Sequence, residues 1–269
     1  MIRVAIIVAL AATGCLLKPD KIELSDGRAG DGAGDGGLPT FRPRVIDIAY
    51  YDPGTAATDG MTDLAYSVRT TGISEGDLVL FIANVDNGSD GVFPPPVGFT
   101  QMWQRFYAGD QTYVAMWKIA TATEPGNYTS TYGAGHGSSA AVIALLAISG
   151  AKHAQPAYSA INSTVASAPV DATSPGITTQ APGSIIIYAA GANWSPSTGT
   201  CMFTHPPGFM PIVAMGDKGS AMFEWTTELV AWQVQAAVGN SGPLVGALRD
   251  IENDRAGEPW TITLAIAPE

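Results

Sequence analysis

This chain has little cysteine, histidine and basic charge. Two Cys and three His in 269 residues leave no disulfide framework to be expected. Thirteen Lys and Arg stand against 24 Asp and Glu, giving a formal net charge of −11. Nucleic acid binding needs clustered positive charge, so nucleic acid is excluded as a partner. The sequence also contains no cofactor motif, and no cofactor is predicted.

An apolar run long enough to cross a membrane is absent as well. The run 4–12 follows Arg3 and precedes the small residues Thr13 and Gly14, and charge returns at Lys18. A spanning helix needs about 20 apolar residues. The order of positive charge, short apolar run and small residues is that of a secretory signal peptide, which we assign to residues 1–14.

The end of this segment resembles the lipobox of bacterial lipoprotein precursors. The matching residues are 10–15, Leu-Ala-Ala-Thr-Gly-Cys. The resemblance implies that Cys15 becomes N-terminal and diacylated, so that the membrane is a partner through a lipid anchor. An ordinary cleaved signal and a buried structural cysteine are the alternatives. Leu16 in place of Asp further implies an exported, cell-envelope protein sorted to the outer membrane.

Residues 15–44 are interpreted as the anchor and a flexible tether. Asp-Gly recurs at Asp26, Asp31 and Asp35 with almost nothing apolar between them. Such a Gly-rich segment cannot bury enough surface to offset its ordering entropy. A calcium loop would need ligands at closer spacing and a closing Glu, so the tether is the favoured interpretation.

Residues 45–269 are predicted to form one all-β domain. Short β-branched or aromatic runs, separated by Gly, Pro, Asn and Asp, occur at 77–85, 112–120, 140–149, 184–192 and 260–267. Several are apolar on both faces, as in the middle of a covered sheet. The segment 224–238 alternates with period two, so it is also read as a strand. An antiparallel β-sandwich, with a jelly roll as the candidate topology, is the predicted fold.

Two halves of this domain share a weak internal similarity. Gly76 matches Gly183, Gly98-Phe99 matches Gly208-Phe209, and Glu124-Pro125 matches Glu258-Pro259. The order of a Gly-Asp-Leu-Val-Leu strand, a Pro-Pro-x-Gly-Phe turn and an aromatic strand resembles β-sandwich modules of bacterial surface proteins and phage tail-associated proteins. That resemblance supplies no catalytic or binding residues.

Three groupings could carry chemistry, and ordinary structure explains each better. Cys201 and His205 offer two zinc ligands where three or four are needed. Ser138, near His136, precedes an apolar strand instead of occupying a Gly-x-Ser-x-Gly elbow. The acids of 249–258 alternate with Arg as in a solvated loop. A pair of glycosidase carboxylates could still lie among the acids, because one sequence does not say which two face each other.

Asp86 and Asp90 are the candidate metal ligands. They lie with Asn87 and Ser89 between two predicted strands, a spacing that could surround a hard cation with oxygens. Asn, Asp and Gly are also what a long hairpin loop requires. Turn chemistry is therefore the competing interpretation.

Trp194 is the candidate ligand-binding aromatic residue. Of the six Trp, it alone falls in a Pro-Gly-Ser loop, whereas the others fall in strand-like runs. The predicted function is thus a non-enzymatic, envelope-anchored lipoprotein whose sandwich binds a glycan or a surface protein. A carbohydrate-active hydrolase and a passive structural component of the envelope are the alternatives.

Overall fold

A computed structural model describes residues 41–51, 64–86, 93–107, 111–132, 141–162, 170–194, 201–218, 225–250 and 260–269. These residues form β-strands and turns, and no helix occurs among them. The strands of the N-terminal half are β1 (Pro43–Tyr51), β2 (Leu64–Arg69), β3 (Leu78–Asp86), β4 (Thr100–Tyr107), β5 (Gln111–Ile119), β6 (Asn127–Tyr132) and β7 (Ala141–Ile148).

The C-terminal half contains ten further strands. They are β8 (Ala157–Asn162), β9 (Val170–Ser174), β10 (Thr178–Thr179), β11 (Ser184–Trp194), β12 (Cys201–Thr204), β13 (Met210–Lys218), β14 (Trp225–Gln235), β15 (Gly239–Asn240), β16 (Leu244–Asp250) and β17 (Trp260–Ile266). All pairings of these strands are antiparallel, so the predicted all-β, antiparallel class is confirmed. The strand assignment of 224–238 is also correct, as β14.

Each half contains one large sheet, and the two large sheets have the same topology. The N-terminal order is β1-β7-β3-β5-β4, and the C-terminal order is β8-β17-β11-β14-β13. A small sheet accompanies each large one, β2-β6 in the first half and β9-β16-β12 in the second. In both halves the first strand pairs with the last, as in jelly rolls and other Greek-key sandwiches.

The two large sheets pack face to face around a shared central core. Alternate residues of β3, such as Leu80 and Ile82, meet residues of β11 and β17, such as Ile187 and Leu264. All of these side chains are fully buried. The inner faces of the large sheets therefore bury each other, as in aligned sheet packing.

The outer faces of the large sheets are covered by the small ones. Val79 and Phe81 pack with Tyr66 of β2, and Ile186 and Tyr188 pack with Ala172 of β9. This explains strands that are apolar on both faces, because each face has its own cover. The sequence predicts one sandwich, whereas the chain forms four layers with three cores.

Equivalent turns and bulges confirm that the halves are built alike. Gly98 and Gly208 both have positive φ, at 86° and 82°, just before β4 and β13. Both strands also shift register by one residue, between Gln101 and Trp103 and between Pro211 and Val213. A bulge increases the local twist, and here it does so at the same edge position of both sheets.

One pairing from the sequence comparison is wrong. Glu124-Pro125 precedes β6, whereas Glu258-Pro259 precedes β17, the equivalent of β7. Two short motifs of Glu and Pro carry too little information to fix a register when loop lengths differ between the halves. The segment that precedes β16, the equivalent of β6, contains Pro243 instead.

The body has two dissimilar ends, which we call the turn end and the loop end. At the turn end, a bridge from Ala151 to Pro268 and a hydrogen bond from Lys152 N–H to Ala267 O (2.9 Å) join the two halves. At the loop end, β3, β4 and β13 finish and β5, β14 and β17 begin. Trp260, at the loop end of its sheet, contacts Tyr113 of the other large sheet, so both loop ends lie on one side.

Both ends of the body's chain lie at the turn end. β1 starts opposite Ile148, and the Glu269 N–H donates to Gly150 O (2.9 Å). The predicted boundary at residue 44 is slightly late, because Phe41 is buried in the central core and β1 begins at Pro43. A search of the described residues finds no helix of the length and apolar character that crossing a membrane requires.

Candidate functional site

The two described site residues that the sequence singles out lie at the loop end. Trp194 is the last residue of β11, and Asp86 is the last residue of β3. Asp90 and Cys15 lie outside the described residues. The strand ends thus bring one candidate from each half to the same end of the body.

Trp194 is one of a row of three positions across the large C-terminal sheet. It pairs directly with Trp225 of β14, and Trp225 pairs with Lys218 of β13. Directly paired positions share a face of an antiparallel sheet. The fold thus places position 225 beside position 194, although 30 residues lie between them in the sequence.

Three residues further into the sheet lies a buried carboxyl group. Glu228 on β14 is fully buried, and neither carboxylate oxygen has a hydrogen-bond partner among the described residues. Burial in an apolar layer disfavours the charged form and raises the pKa of Glu228 well above the ordinary carboxyl value. Burial therefore favours the protonated, neutral form of this carboxyl group.

The neighbours of Glu228 explain how the sheet accommodates it. Gly191 of β11 pairs with both Glu228 and Trp260, so a position without a side chain separates the acid from the indole. The Trp260 ring lies 5.1 Å from Tyr113 and 5.8 Å from Trp103, measured between ring centroids. Its indole N–H is also buried without a hydrogen-bond partner within the described part of the chain.

The residues considered for metal binding or catalysis do not come together into a site within the described residues. Cys201 begins β12 opposite Asp250. His205 Nδ1 lies 3.1 Å from the Pro206 carbonyl oxygen, which accepts from it in the tautomer that carries a proton on Nδ1. Across the described ranges, no group of three or more His, Cys, Asp or Glu side chains could hold a metal ion. His136, Ser138 and residues 251–259 lie outside those ranges.

A second polar cluster lies at the turn end of the N-terminal half. Lys118 Nζ is 2.7 Å from Glu124 Oε2, and the side chains are 9% and 8% exposed. The Tyr128 hydroxyl donates to the same oxygen (2.6 Å), and the Thr121 N–H donates to Oε1 (2.6 Å). The Lys118 ammonium also lies over the Tyr128 ring, 5.0 Å from its centroid.

This cluster is built for stability. Burial alone raises the pKa of Glu124, but the hydrogen bonds from Lys118, Tyr128 and Thr121 together outweigh it and lower that pKa to about 2. Every charge has a close partner, so no group is left to bind or protonate a substrate.

The sequence contains a signal for the special position of Glu228. The alternation that identifies β14 places Glu228 on the same face as Val230 and Trp232. A charged residue on an inward face is the kind of exception that marks a special position. No pattern in the sequence predicts that Trp225 pairs with Trp194, because the pairing depends on the register of β11 and β14.

No protein-family model, no curated protein and no solved structure matches this chain, so a functional conclusion has to come from the arrangement of its own residues.

Proposed function

We propose that this protein is a non-enzymatic binding protein, anchored to the cell envelope through Cys15, with its ligand surface at the loop end. The observation that carries the proposal is the position of the chain ends. Both Pro43 and Glu269 lie at the turn end, so a tether that enters there leaves the loop end pointing away from the membrane.

The sheet register supports a ligand that stacks on aromatic rings. Trp194 and Trp225 are neighbours at the outermost row of the large C-terminal sheet. Two Trp residues at directly paired positions suit a sugar ligand, because the C–H faces of sugar rings pack on aromatic surfaces while the hydroxyls remain in water. A glycan is therefore the ligand class that we propose, with a surface protein as the second.

The state of Glu228 supports binding without turnover. Glycoside hydrolysis uses two carboxyl groups on either side of the scissile bond. Glu228 is fully buried between the large sheets, where a polysaccharide has no access, and its oxygens contact no second acid in the described residues.

A glycan array tests the ligand surface. The chain without residues 1–40 is compared with Trp194→Ala and Trp225→Ala, each expected to weaken binding by about tenfold or more through lost stacking. Tyr158→Ala is the matched control, since Tyr158 is 42% exposed near the turn end. Equal loss in the control, or turnover of a polysaccharide by the wild type, would contradict the proposal. Absence of any glycan or protein ligand would favour a passive structural role.

A detergent-partition assay tests the anchor separately. The wild type is expected in the detergent phase, and Cys15→Ala in the aqueous phase. A wild-type protein that stays in the aqueous phase would show that the anchor is wrong and would leave the ligand surface untouched.

A further inference from the structure

The central core contains one polar layer, on the loop-end side of its apolar layers. Along β3, the inward positions Leu80 and Ile82 are followed by Asn84, which is fully buried. Along β14, the inward position next to Val230 on the loop-end side is Glu228, also fully buried. Because β3 packs against β14, these polar residues belong to the same layer between the two large sheets.

Two side chains of this layer have polar atoms that the described protein groups do not satisfy. These atoms are both carboxyl oxygens of Glu228 and the indole nitrogen of Trp260, all of them buried. Gly191 pairs with both residues, so the two side chains stand on one face of the sheet with their Cα atoms about 10 Å apart. Glycine places no side chain between them. The acid and the indole therefore flank a gap in the side-chain layer.

The Trp260 ring is held in place by the facing sheet. It packs against Tyr113 and Trp103, and the residue is 1% exposed, so its N–H does not reach solvent. Burying a donor or an acceptor without a partner is unfavourable, and native proteins pair nearly all such groups with protein atoms or with ordered water. A buried water needs about two to four polar partners. The Glu228 carboxyl and the Trp260 indole supply three polar atoms.

We propose that the space over Gly191, between the two large sheets, is a binding site for an ordered water molecule that bridges Glu228 and Trp260. The water accepts a hydrogen bond from the indole N–H and donates one to a carboxyl oxygen. With two hydrogen bonds of about 2.9 Å, it connects groups up to about 6 Å apart. The site does not depend on the anchor or on the ligand surface proposed above.

The site belongs to one half of the molecule only. The positions equivalent to Gly191 and Glu228 are Asn84 and Tyr113, which pair with each other on the facing sheet. Both carry larger side chains, and both are buried. The N-terminal sheet therefore fills its part of the layer with side chains, whereas the C-terminal sheet leaves room for a small polar molecule.

Nuclear magnetic resonance of the Trp260 indole N–H tests the site. The chain from residue 15 is labelled with nitrogen-15 tryptophan. The Trp260 signal is assigned by its loss in Trp260→Phe or, if that variant does not fold, from triple-resonance spectra. We expect a nuclear Overhauser cross-peak between this N–H and water, with the sign of a long-lived contact in the rotating-frame spectrum. A wild-type spectrum without this cross-peak would overturn the proposal.

Two variants of Glu228 show whether the water contacts the carboxyl. Glu228→Gln keeps a polar partner for the water but removes the carboxyl proton, whose own exchange with solvent would imitate a water cross-peak. Its cross-peak should stay within about twofold of the wild type. Glu228→Met has a similar length and no polar oxygen, so the cross-peak should fall at least about fivefold. Loss in Glu228→Gln, or an unchanged cross-peak in Glu228→Met, would overturn the proposal.

Two further variants keep the test independent of any single substitution. Gly191→Ala adds a Cβ where the water is proposed, and we expect it to remove the cross-peak even if Glu228→Met fails to fold. Tyr113→Phe removes the other nearby hydroxyl proton that exchanges with solvent, and the cross-peak should remain. A cross-peak that survives Gly191→Ala, or that disappears in Tyr113→Phe, would contradict the proposed position of the water.

Discussion

The two halves have the same topology, but they satisfy the polar groups at equivalent positions with different kinds of hydrogen bond. Asp77, immediately before β3, is buried and accepts hydrogen bonds from Arg44 (2.7 Å) and Ser149 (2.6 Å). The equivalent position at the start of β11 is Ser184, whose hydroxyl donates to Ala181 O (2.7 Å). The N-terminal half therefore uses ion pairs where the C-terminal half uses neutral hydrogen bonds.

The same contrast recurs on the neighbouring strand. Lys118 pairs with Val79, and its equivalent Gln233 pairs with Ile186. A Cβ on Gly98 would lie 3.5 Å from the Lys118 ammonium, and a Cβ on Gly208 would lie 3.6 Å from the Gln233 amide oxygen. The backbone geometry is thus retained while the charge is lost.

At the loop end the contrast is reversed. Tyr113 and Glu228 occupy equivalent positions, because they pair with the equivalent residues Asn84 and Gly191. The N-terminal half fills this inward position with an aromatic ring, whereas the C-terminal half leaves a carboxyl without a partner in the described chain. The shared backbone topology determines which positions face inward. The side chain at each position then determines how favourable its burial is.

Separating the halves should have the largest effect. The division between the halves lies at 150–156, before β8. Fragments 41–151 and 152–269 would each expose one inner sheet face at about 25 cal/mol for each Å² of apolar surface. We expect neither fragment to melt cooperatively alone by circular dichroism. Two sharp, independent transitions would show that the outer cores suffice.

Glu228→Gln should stabilise the protein, most strongly at alkaline pH. The folded carboxyl has a raised pKa, whereas the unfolded one ionises near 4.5. Between those two pKa values the folded state holds the extra proton, so wild-type stability falls by about 1.4 kcal/mol for each pH unit. Urea unfolding should show the variant more stable than wild type at pH 8, with a difference that shrinks as the pH falls and vanishes near pH 4. Parallel curves for the two proteins would contradict the buried, unpaired acid.

Glu124→Gln should act in the opposite direction. The folded pKa of about 2 lies below the ordinary value of 4.5, so the carboxylate contributes stability above pH 4.5 and loses it as the pH falls toward 2. We expect a loss of about 2–3 kcal/mol at pH 7 that disappears near pH 2. The exposed Glu75→Gln, in the same half, is the control and should change stability by less than about 0.5 kcal/mol.

Gly246→Ala should have the smallest of the effects. A Cβ there would lie 2.7 Å from the Tyr188 hydroxyl and 2.9 Å from Thr204 O, so the small C-terminal sheet would have to move. The cost is expected at about 1–2 kcal/mol in thermal unfolding. Gly126→Ala is the matched control in the other half, since its Cβ would meet nothing within 4 Å. Equal effects of the two changes would mean that the small sheet is loosely held.

Much of the fold was predictable because strand signals are local. The runs that contain Leu80, Val142 and Ile187 are β-branched and bounded by turn residues, and all became central strands. The arrangement in four layers with three cores was less accessible. A strand that is apolar on both faces indicates that each face is covered, but the pattern does not indicate which sheet packs against it.

The candidate site was predictable only in part. Trp194 is distinctive in the sequence because its neighbours are Pro, Gly and Ser. Trp225 lies in an ordinary strand-like run, and only the register of β11 and β14 shows that the two positions are paired. The outcome for Asp86 and Asp90 as metal ligands stays a prediction, because Asp90 lies outside the described residues.

The sequence by itself determined the strand content, the antiparallel class and the similarity of the halves, because period-two alternation and turn residues act over a few positions. Only the tertiary structure decided that Glu228 is buried without a partner among the described residues, that Lys118 and Glu124 meet, and that Pro43 and Glu269 lie at the end opposite Trp194. These facts depend on which strands become neighbours. Strand neighbours are determined by the packing of apolar sheet faces between segments that are distant in sequence. No short stretch of the chain contains a pattern that predicts this packing.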